Sequence, residues 1–365
     1  MSRIVLVLGT SDGGVGRHVR MLAGGLTAAG HEVVVAGPAA TEETFGFTAA
    51  GARFTEVPIA DRPRPADDLA AVARLRAAVR GARIVHAHGL RAGAIAALAL
   101  LAVRRRPRLV VTLHNGVTAT GAIGAVYGLL ERIVARRADL VLVVSPDLGA
   151  RMRARGARRV QAAVVPAPPL GRPSRTPEEV RAELARLLPG GGDRPVLLTV
   201  ARLAQQKGLE TLLDAAAAPY KGDPLFVIAG EGPLRPGLQA RIDAERLPVV
   251  LYGWADPAEL LPVATALLLP SRWEGQPLSL HEALRAGLPV IATRVGGIPA
   301  MAGDAALLVA PGDPGELSRE IGRLLGDPAL AARLAEASAR RGGELPDEAA
   351  ALRAVAEAYS HLVDH

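Results

Sequence analysis

The feature that most constrains this chain is a series of short, continuous runs of Val, Ile and Leu, each followed by a longer segment with helical patterning. Strands buried on both faces of a parallel sheet have such unbroken apolar runs, whereas half-buried strands alternate. The predicted strands are 4–8, 32–36, 84–87, 109–113, 140–144, 162–165, 196–200, 225–228, 249–251, 266–269, 290–292 and 306–309. Strands joined by helices make βαβ units, so the sequence predicts an α/β protein built on parallel sheets.

A segment rich in proline and glycine divides the series in two, between Pro166 and Pro195. It contains one helical pattern, predicted over 177–188, and the glycines 190–192. We therefore expect two Rossmann-like domains, over 1–170 and 171–345, followed by a closing helix within 346–365. Ligands of such sheets bind beyond the carboxyl ends of the strands, so a central cleft between two facing sheets is the expected site.

Composition excludes several classes of function. The 365 residues include no cysteine, which excludes a disulfide scaffold, thiolate metal sites and a cysteine nucleophile. The formal net charge is +7, and all but Lys207 and Lys221 of the 43 basic residues are arginines. Aromatic residues make up 3% of the chain, which leaves few rings for stacking on bases, so we expect no nucleic-acid partner. An anionic small molecule or a membrane surface fits the charge better.

The sequence shows no segment typical of export or membrane insertion. The apolar run 4–8 is too short for a secretory signal, and the most apolar later stretch, 92–103, is too short to span a bilayer. We expect a cytoplasmic protein. The basic runs 104–108 and 151–159 are typical of solvated faces, but they leave open a peripheral contact with an anionic membrane. Nothing in the sequence indicates an oligomeric state.

A glycine-rich loop follows the first predicted strand. Gly13, Gly14 and Gly16 allow a ligand to approach the backbone at the start of a helix, where free N–H groups bind anions. A tight turn without a ligand is the alternative interpretation. The spacing differs from G-x-G-x-x-G and the second strand does not end on a ribose-binding acid, which disfavours an NAD-dependent enzyme.

Two basic residues follow the strand 196–200. Arg202 and Lys207 lie five residues apart where a buried strand leads into a helix. A guanidinium fork and a compact ammonium can together bind a diphosphate. The alternative is a pair of solvated loop charges.

The longest motif with candidate ligand-binding residues extends from Pro270 to Thr293. Glu274 lies in the turn before a helix that starts near Pro277, and Glu282 lies one to two turns inside that helix. Both carboxylates can accept hydrogen bonds from sugar hydroxyls, and the N–H groups at the helix start can hold a phosphate. A glycosidase acid/base pair needs a defined separation across one bond, so we interpret the two acids as binding two parts of one ligand.

These residues resemble the retaining glycosyltransferases of family 4, which have the GT-B fold. The family hallmark is a Glu-x7-Glu motif in the frame P-S-x-x-E-G-x6-E-A-x3-G-x-P-V-x-A-T, which residues 270–293 match throughout. Further similarities are found at 13–16, 85–89, 112–114, 138–145, 201–208 and 230–233. Two positions depart from the family pattern: Pro-Asn-Gly-Val-Asp is replaced by residues 165–169, and Glu-Gly-Phe-Gly by residues 274–277.

The resemblance implies a role for each matched position. Arg202 and Lys207 would neutralise the donor diphosphate, Glu282 would bind the ribose hydroxyls, and Glu274 would bind the transferred sugar. Gly14 and Gly16 would let the first loop close over the phosphates, and His114 would line the sugar pocket as a hydrogen-bonding partner. The closing helix would pack on the N-terminal domain. The remaining donor-binding residues would be Gly232, Trp254, Gly275, Gln276, Pro277, Leu278 and Ser279.

No metal site is expected. His86 and His88 are two residues apart on a predicted strand, and we expect their rings to point to opposite faces, with no carboxylate nearby. The chain also lacks the Asp-x-Asp of metal-dependent glycosyltransferases. We expect no cofactor, because the nucleotide-sugar is a substrate.

The expected reaction is a metal-independent, retaining transfer from a UDP- or GDP-sugar to an unknown hydroxyl acceptor, by attack on the face from which the nucleotide leaves. The acceptor class stays open between a glycan, a lipid-linked sugar and a small molecule. Two alternatives are a GT-B nucleotide-sugar epimerase and a non-catalytic sugar-nucleotide binding protein.

Overall fold

The computed structural model of the chain describes residues 1–11, 13–60, 64–101, 103–116, 121–187 and 194–363. The chain divides into two compact units. Unit 1 contains Met1–Pro166 together with the residues from Pro346 onward, and unit 2 contains Ala167–Leu345. Asp12, Ala102, Leu188 and the predicted glycine run 190–192 lie outside the described residues.

Unit 1 alternates strands and helices. Its strands are β1 (Arg3–Leu8), β2 (Glu32–Gly37), β3 (Arg53–Glu56), β4 (Ile84–His88), β5 (Arg108–Leu113), β6 (Leu140–Val143) and β7 (Val160–Ala162). Its helices are α1 (Gly14–Ala28), α2 (Ala39–Phe45), α3 (Pro65–Ala78), α4 (Leu90–Ala99), α5 (Gly121–Arg137), α6 (Pro146–Ala154) and, at the end of the chain, α15 (Glu348–Val363). The seven strands pair in parallel in the order β3-β2-β1-β4-β5-β6-β7.

Unit 2 repeats the pattern. Its strands are β8 (Val196–Val200), β9 (Leu225–Ala229), β10 (Val249–Gly253), β11 (Ala266–Leu269), β12 (Val290–Thr293) and β13 (Ala306–Val309). Its helices are α7 (Pro177–Leu187), α8 (Leu209–Ala216), α9 (Arg235–Glu245), α10 (Pro257–Leu260), α11 (Leu278–Arg285), α12 (Ile298–Ala302), α13 (Pro314–Gly326) and α14 (Pro328–Glu344), with 3-10 turns at Gln205–Lys207 and Leu261–Val263. The six strands are parallel, in the order β10-β9-β8-β11-β12-β13.

The predicted fold class, an α/β protein with two domains on parallel sheets, is confirmed. The apolar runs form the central strands, whose residues are almost all buried on both faces of their sheets, as in β4 and β9. β8, β11 and β13 have the predicted bounds, and most other strands differ by one or two residues.

The differences concern the edges of the unit 1 sheet. β3 was not predicted: its four residues, Arg53–Glu56, are only partly buried and form no continuous apolar run. The last strand was predicted over 162–165 but lies at Val160–Ala162, where two of its three residues are exposed. An edge strand needs less burial than a central one, so an unbroken apolar run is a poor guide to its position.

Helix α15 belongs to unit 1, where it packs against α1. A Cβ atom on Gly25 of α1 would come within 2.4 Å of the side chain of Leu352. Tyr359, which is 5% exposed, reaches the sheet and forms a 2.7 Å hydrogen bond between its hydroxyl and Nδ1 of His86 on β4. The last helix is therefore part of the core of the first sheet.

Segment 167–187 is tied to unit 2 by polar contacts. Nδ1 of His281 on α11 accepts a hydrogen bond from the backbone N–H of Ala167 at 3.1 Å. The guanidinium of Arg175 bonds Glu259, Glu183 and the hydroxyl of Tyr252, which raises the pKa of the arginine. These contacts fix the start of unit 2 against α11 and β10.

Helices α11 and α14 approach one another most closely at a glycine. A Cβ atom on Gly342 would lie 2.5 Å from the backbone nitrogen of Arg285 and equally close to the carbonyl group of Leu284. The next residue, Gly343, has no atom within 4 Å of the corresponding position. The backbone of α11 therefore rests directly on Gly342.

This contact predicts opposite effects for two adjacent substitutions. Gly342→Ala should lower the free energy of unfolding by about 1–3 kcal/mol, because the helices must separate. Gly343→Ala should raise it by up to about 1 kcal/mol, because alanine is the better helix former and meets nothing. Urea unfolding of both variants measures the difference, and equal effects would show that α11 does not depend on the close approach.

Candidate functional site

The carboxyl edge of the unit 2 sheet carries most of the predicted site. β9 follows β8 on one side of the sheet and β11 lies on the other, so the strand order reverses between β8 and β11. Ligands of open parallel sheets bind outside the carboxyl ends of the strands at such a point. The loop after β8 carries Arg202 and Lys207, and the loop after β11 carries Glu274.

These two loops contact each other through their backbones. Gln206 accepts a 2.8 Å hydrogen bond at its carbonyl from the N–H of Arg272, and its side-chain amide donates to the carbonyl of Trp273 at 2.8 Å. Gly208 has a φ of +62°, and a Cβ atom there would lie 2.1 Å from the carbonyl oxygen of Pro270. Only glycine combines that backbone conformation with that approach. The 3-10 turn that ends at Lys207 is thereby held against the β11 loop.

The result is a buried polar contact between the two loops. Nζ of Lys207 donates to Oε1 of Glu274 at 2.6 Å, and the hydroxyl of Ser271 donates to the same oxygen at 2.7 Å. The side chain of Glu274 is 7% exposed and that of Lys207 is 23% exposed. Oε2 of Glu274 accepts from no described residue. One oxygen therefore serves the protein and the other is available for a ligand hydroxyl.

The backbone of Glu274 is fixed by a loop that the sequence analysis did not single out. The carbonyl of Glu274 accepts from the N–H of Gly297 at 3.0 Å. Gly296 has a φ of +51°, and a Cβ atom there would lie 1.8 Å from the same carbonyl oxygen. The paired glycines 296 and 297, in the loop after the predicted strand 290–292, were a signal of a tight turn at this place.

Helix α11 begins where a phosphate was predicted to bind. Gly275, Gln276 and Pro277 lead into the helix, and the N–H groups of Leu278 and Ser279 have no acceptor among the described residues. Unpaired N–H groups and the helix dipole make such a start favourable for an anion. Glu282 lies in the second turn of α11 and is 7% exposed.

Three other predicted donor-binding residues lie along the same edge of the sheet. Arg202 is exposed, and its guanidinium has no partner among the residues the structure describes. Gly232, after β9, is pressed against the β8 loop, since a Cβ atom there would lie 2.5 Å from the carbonyl oxygen of Leu203. Trp254, after β10, is 81% exposed.

In unit 1 the predicted glycine loop opens α1. The helix begins at Gly14 after Gly13. The N–H of Gly16 donates to the hydroxyl of Ser11 at 3.1 Å, and a Cβ atom on Gly16 would lie 2.1 Å from the ring of Phe45. Gly16 therefore also has a packing reason to be glycine.

His114 lies in a cluster of four buried histidines at the carboxyl edge of the unit 1 sheet. Nε2 of His114 is 3.1 Å from Nδ1 of His88, and the ring centroids of His86 and His88 are 4.2 Å apart. His18 of α1 contacts His88 and His114 edge to face. The prediction that His86 and His88 point to opposite faces was wrong, because side chains two residues apart on a strand share a face.

The histidines are arranged as hydrogen-bonded pairs. Nε2 of His86 is 2.7 Å from the hydroxyl of Thr112, and Nδ1 of His86 is bonded to Tyr359. Among the described residues no group of three or more His, Asp or Glu side chains is placed to hold a metal ion.

The tautomer of His114 follows from the hydrogen bonds of its neighbour His88. A neutral imidazole has one N–H and one bare nitrogen. Nε2 of His88 is buried without a partner. If Nδ1 of His88 donates to Nε2 of His114, then Nε2 of His88 has no proton and is a buried acceptor without a partner. If Nε2 of His114 donates to Nδ1 of His88 instead, the proton of His88 lies on Nε2 and a buried N–H has no partner, which is rarer. The first arrangement puts the proton of His114 on Nδ1, which has no partner in the described part of the chain. His114 therefore offers an N–H to a ligand oxygen.

All four histidines are uncharged at neutral pH. Burial lowers the pKa of His18 to about 4 and, together with the neighbouring His18, that of His86 to about 3. Burial and the adjacent histidines hold the pKa values of His88 and His114 well below their usual range.

The structure thus distributes the predicted residues over two groups. Lys207, Glu274, Glu282 and the start of α11 lie along the carboxyl edge of the unit 2 sheet. Gly14, Gly16 and His114 lie along the corresponding edge of the unit 1 sheet. The unit 2 group follows β8 and β11, which flank the reversal of strand order; in unit 1 the glycines follow β1, which borders the reversal, and His114 follows β5, the strand next to β4.

Two parallel sheets with these sites define a two-domain α/β protein of the GT-B type, and solved structures agree. Sucrose-phosphate synthase from Thermosynechococcus elongatus matches with a TM-score of 0.78 and 23% identity, covering 99% of each chain. Anabaena HepE, in a crystal structure with UDP and glucose, matches with a TM-score of 0.83 and 20% identity, covering 99% of this chain and all of that one.

Residues 13–168 match the glycosyl transferase 4-like domain, and residues 194–327 match the glycosyl transferases group 1. A GDP-mannose-dependent alpha-(1-6)-phosphatidylinositol monomannoside mannosyltransferase from Mycolicibacterium smegmatis is 31% identical over 66% of this chain and 68% of its own. The chain belongs to this family of glycosyltransferases.

Similarity to other curated relatives is more local. The alpha-D-kanosaminyltransferase of Streptomyces kanamyceticus is 36% identical over 172 residues, which is 44% of either chain. The chain spans about half the length of the first curated relatives it matches. No helix within the described ranges is long and apolar enough to cross a membrane.

The buried histidines predict acid sensitivity. Unfolded histidines bind protons below about pH 6.5, whereas His18 and His86 in the folded protein do so only near pH 4 and pH 3. The free energy of unfolding should therefore fall as the pH drops from 6.5 towards 4, by at most about 1.4 kcal/mol per pH unit for each such histidine.

Urea unfolding between pH 7.5 and 5 measures this slope. His18→Phe should make the dependence of the unfolding free energy on pH shallower, because the unfolded chain then binds one proton fewer. The substitution removes no hydrogen bond to the protein, since the ring of His18 forms none with a described residue. The matched control is His361→Gln, at an exposed position of α15, which should leave the slope unchanged. A slope unaffected by His18→Phe would contradict the burial of a neutral His18.

Proposed function

We propose that the protein is a retaining, metal-independent glycosyltransferase of the family 4 type that transfers a sugar from a UDP- or GDP-sugar to a hydroxyl acceptor. The observation that carries the proposal is the contact of Lys207 with Glu274 between the loops after β8 and β11. It puts an ammonium suited to a diphosphate beside a carboxylate whose second oxygen can accept a sugar hydroxyl.

The proposed reaction breaks the bond between the anomeric carbon and the donor phosphate oxygen. The electron pair leaves with the diphosphate, and the acceptor oxygen bonds to the anomeric carbon from the same face. The acceptor proton passes to an oxygen of the departing phosphate. No carboxylate is assigned as a nucleophile in this route, so Glu274 binds and orients the sugar.

Stabilisation of the leaving diphosphate is assigned to three groups of unit 2. Arg202 offers an exposed guanidinium without a protein partner, and Lys207 offers its ammonium. The first N–H groups of α11 add fixed dipoles that need no reorganisation when the charge develops. Glu282 is assigned to the ribose hydroxyls of the same nucleotide.

In unit 1, the Nδ1–H of His114 is assigned to an oxygen of the donor sugar or of its phosphates. A hydrogen-bond donor of this kind stays neutral and in place at neutral pH, because the pKa of His114 is held low by burial. The same property argues against His114 as a group that must exchange protons in each turnover.

The choice of donor is supported by relatives. HepE was crystallised with UDP-glucose as well as with UDP, and the mycobacterial relative is described as GDP-mannose-dependent. Both donors present a nucleoside diphosphate to the protein, which is what the Arg202, Lys207 and α11 arrangement fits.

A thermal-shift panel of UDP, GDP, ADP and TDP, with and without EDTA, tests the donor site. We expect one of UDP and GDP to stabilise the folded protein by about 2.7 kcal/mol at a hundredfold excess over Kd. The shift should persist in EDTA. A flat panel, or a shift that EDTA abolishes, would contradict the proposed site. Binding without turnover of any sugar donor would favour a non-catalytic binding protein.

Glu274→Ala separates sugar binding from nucleotide binding. Transfer from the donor identified by the panel should fall by about 10- to 100-fold, because charged hydrogen bonds to the sugar are lost. The affinity for the nucleoside diphosphate should not fall, because this ligand carries no transferred sugar for Glu274 to bind. The substitution also removes the carboxylate that pairs with Lys207 and so leaves its ammonium to the diphosphate.

The matched control is Glu320→Ala on α13, which removes an acid paired with Arg323 far along the chain from these loops. It should leave both measurements unchanged. Undiminished transfer by Glu274→Ala, or an equal loss of nucleoside diphosphate affinity, would refute the assigned role.

A further inference from the structure

Helix α5 has an exposed face of unusual composition. Ile123, Val126 and Leu129 are 63%, 43% and 55% exposed. They follow one another at intervals of three residues, so they lie along one side of the first half of the helix. The solvent side of a helix in a globular protein is normally polar. Three large apolar side chains on that side therefore indicate an interaction surface.

The second half of the same helix is basic. Arg132, Arg136 and Arg137 are exposed, and none has an ion-pair partner among the described residues. The helix has one acidic residue, Glu131, which is 2% exposed and is paired with Arg151 at 2.8 Å. The exposed side of α5 therefore combines apolar and cationic groups with no carboxylate.

The neighbouring helix extends this surface. α4 packs against α5, and Leu98 and Leu101 at its end are 42% and 53% exposed. The guanidinium of Arg106 donates to the carbonyl of Arg137, which brings the loop after α4 to the basic end of α5. Arg104 and Arg105 of that loop are exposed.

The basic runs noted in the sequence contribute less than their charge suggests. Arg151 and Arg155 are both directed to Glu131, at 2.8 and 3.5 Å. Arg106 and Arg108 are paired with Asp139. Four of the nine arginines in 104–108 and 151–159 are thus paired, with two carboxylates between them, whereas the three arginines of α5 have no ion pair in the described part of the chain.

We propose that the exposed face of α5, formed by Ile123, Val126, Leu129, Arg132, Arg136 and Arg137, docks on an anionic phospholipid surface. Apolar side chains enter the boundary between headgroups and acyl chains, while guanidinium groups bond lipid phosphates. The face offers both functions along one helix and carries no acid that would repel the lipid.

A second copy of the chain fits this face less well. Packing two α5 helices together would bring guanidinium groups of one copy onto either the apolar half or the guanidinium groups of the other. Neither arrangement supplies a carboxylate, and burying an unpaired charge is costly. The docking proposal does not depend on the transfer reaction, because it involves no residue assigned to the donor site.

Co-sedimentation with vesicles tests the proposal. The full chain should sediment with phosphatidylcholine vesicles that contain phosphatidylglycerol, not with phosphatidylcholine alone, and added salt should weaken the binding. Arg132→Gln, Arg136→Gln and Arg137→Gln combined should lower the partition coefficient more than tenfold, since each surface arginine contributes about fivefold at low salt. Ile123→Ser, Val126→Ser and Leu129→Ser combined should also reduce binding.

Matched controls remove the same charge and the same apolar area elsewhere. Arg319→Gln, Arg333→Gln and Arg353→Gln replace three exposed arginines outside α5, and Leu69→Ser, Leu170→Ser and Leu187→Ser replace three exposed leucines. Both control variants should bind like the unsubstituted chain, and thermal unfolding should show that all four variants are folded.

Three results would overturn the proposal. One is the absence of binding to anionic vesicles. Another is an equal loss of binding in the control variants, which would show that vesicle binding depends on net charge or total exposed apolar area and not on the face of α5. The third is a concentration-dependent dimer that the Ile123, Val126 and Leu129 substitutions dissociate, which would assign the face to a second copy.

Discussion

The close approach of Gly208 to the carbonyl oxygen of Pro270 is the constraint on which the unit 2 site depends. A side chain at 208 would overlap that oxygen, and the φ of +62° already favours glycine. Because this glycine permits the contact, the 3-10 turn before it rests on the loop after β11 and brings Lys207 to Glu274. Gly296 does the same from the other side, against the carbonyl of Glu274. Backbone contacts between the loops therefore fix the site, and these contacts determine where the side chains of Lys207 and Glu274 lie.

Unit 1 achieves fixed geometry by a different means. Its polar groups are histidines that lie within a sheet edge, stacked and hydrogen-bonded to one another, to Thr112 and to Tyr359 of the last helix. Burial removes their charge and with it the repulsion that four imidazolium ions would suffer. The chain must return from unit 2 to supply Tyr359, so the order in this cluster depends on both ends of the sequence.

The sequence predicted the central strands well because burial on both faces leaves a continuous apolar run in the chain. It failed at β3 and at the position of β7, which form the two edges of one sheet and are only partly buried. Contacts between loops were beyond its reach for another reason. The paired glycines 296 and 297 indicate a tight turn, but the sequence does not state that this turn lies against the carbonyl of Glu274 in the loop after β11. The side of α5 that faces solvent likewise depends on what covers its other side.

The choice of lysine at position 207 follows from the same geometry. Nearly every other basic residue of the chain is an arginine, whose planar fork tends to bond both oxygens of a carboxylate. Such a pairing with Glu274 would place an N–H of the protein on Oε2, where it would compete with a ligand hydroxyl group. An ammonium is compact and bonds a single oxygen, as Lys207 does here, and it retains two further N–H donors. A lysine therefore holds Glu274 through one oxygen and still has donors for an anion, while Oε2 stays clear of the protein's own cation.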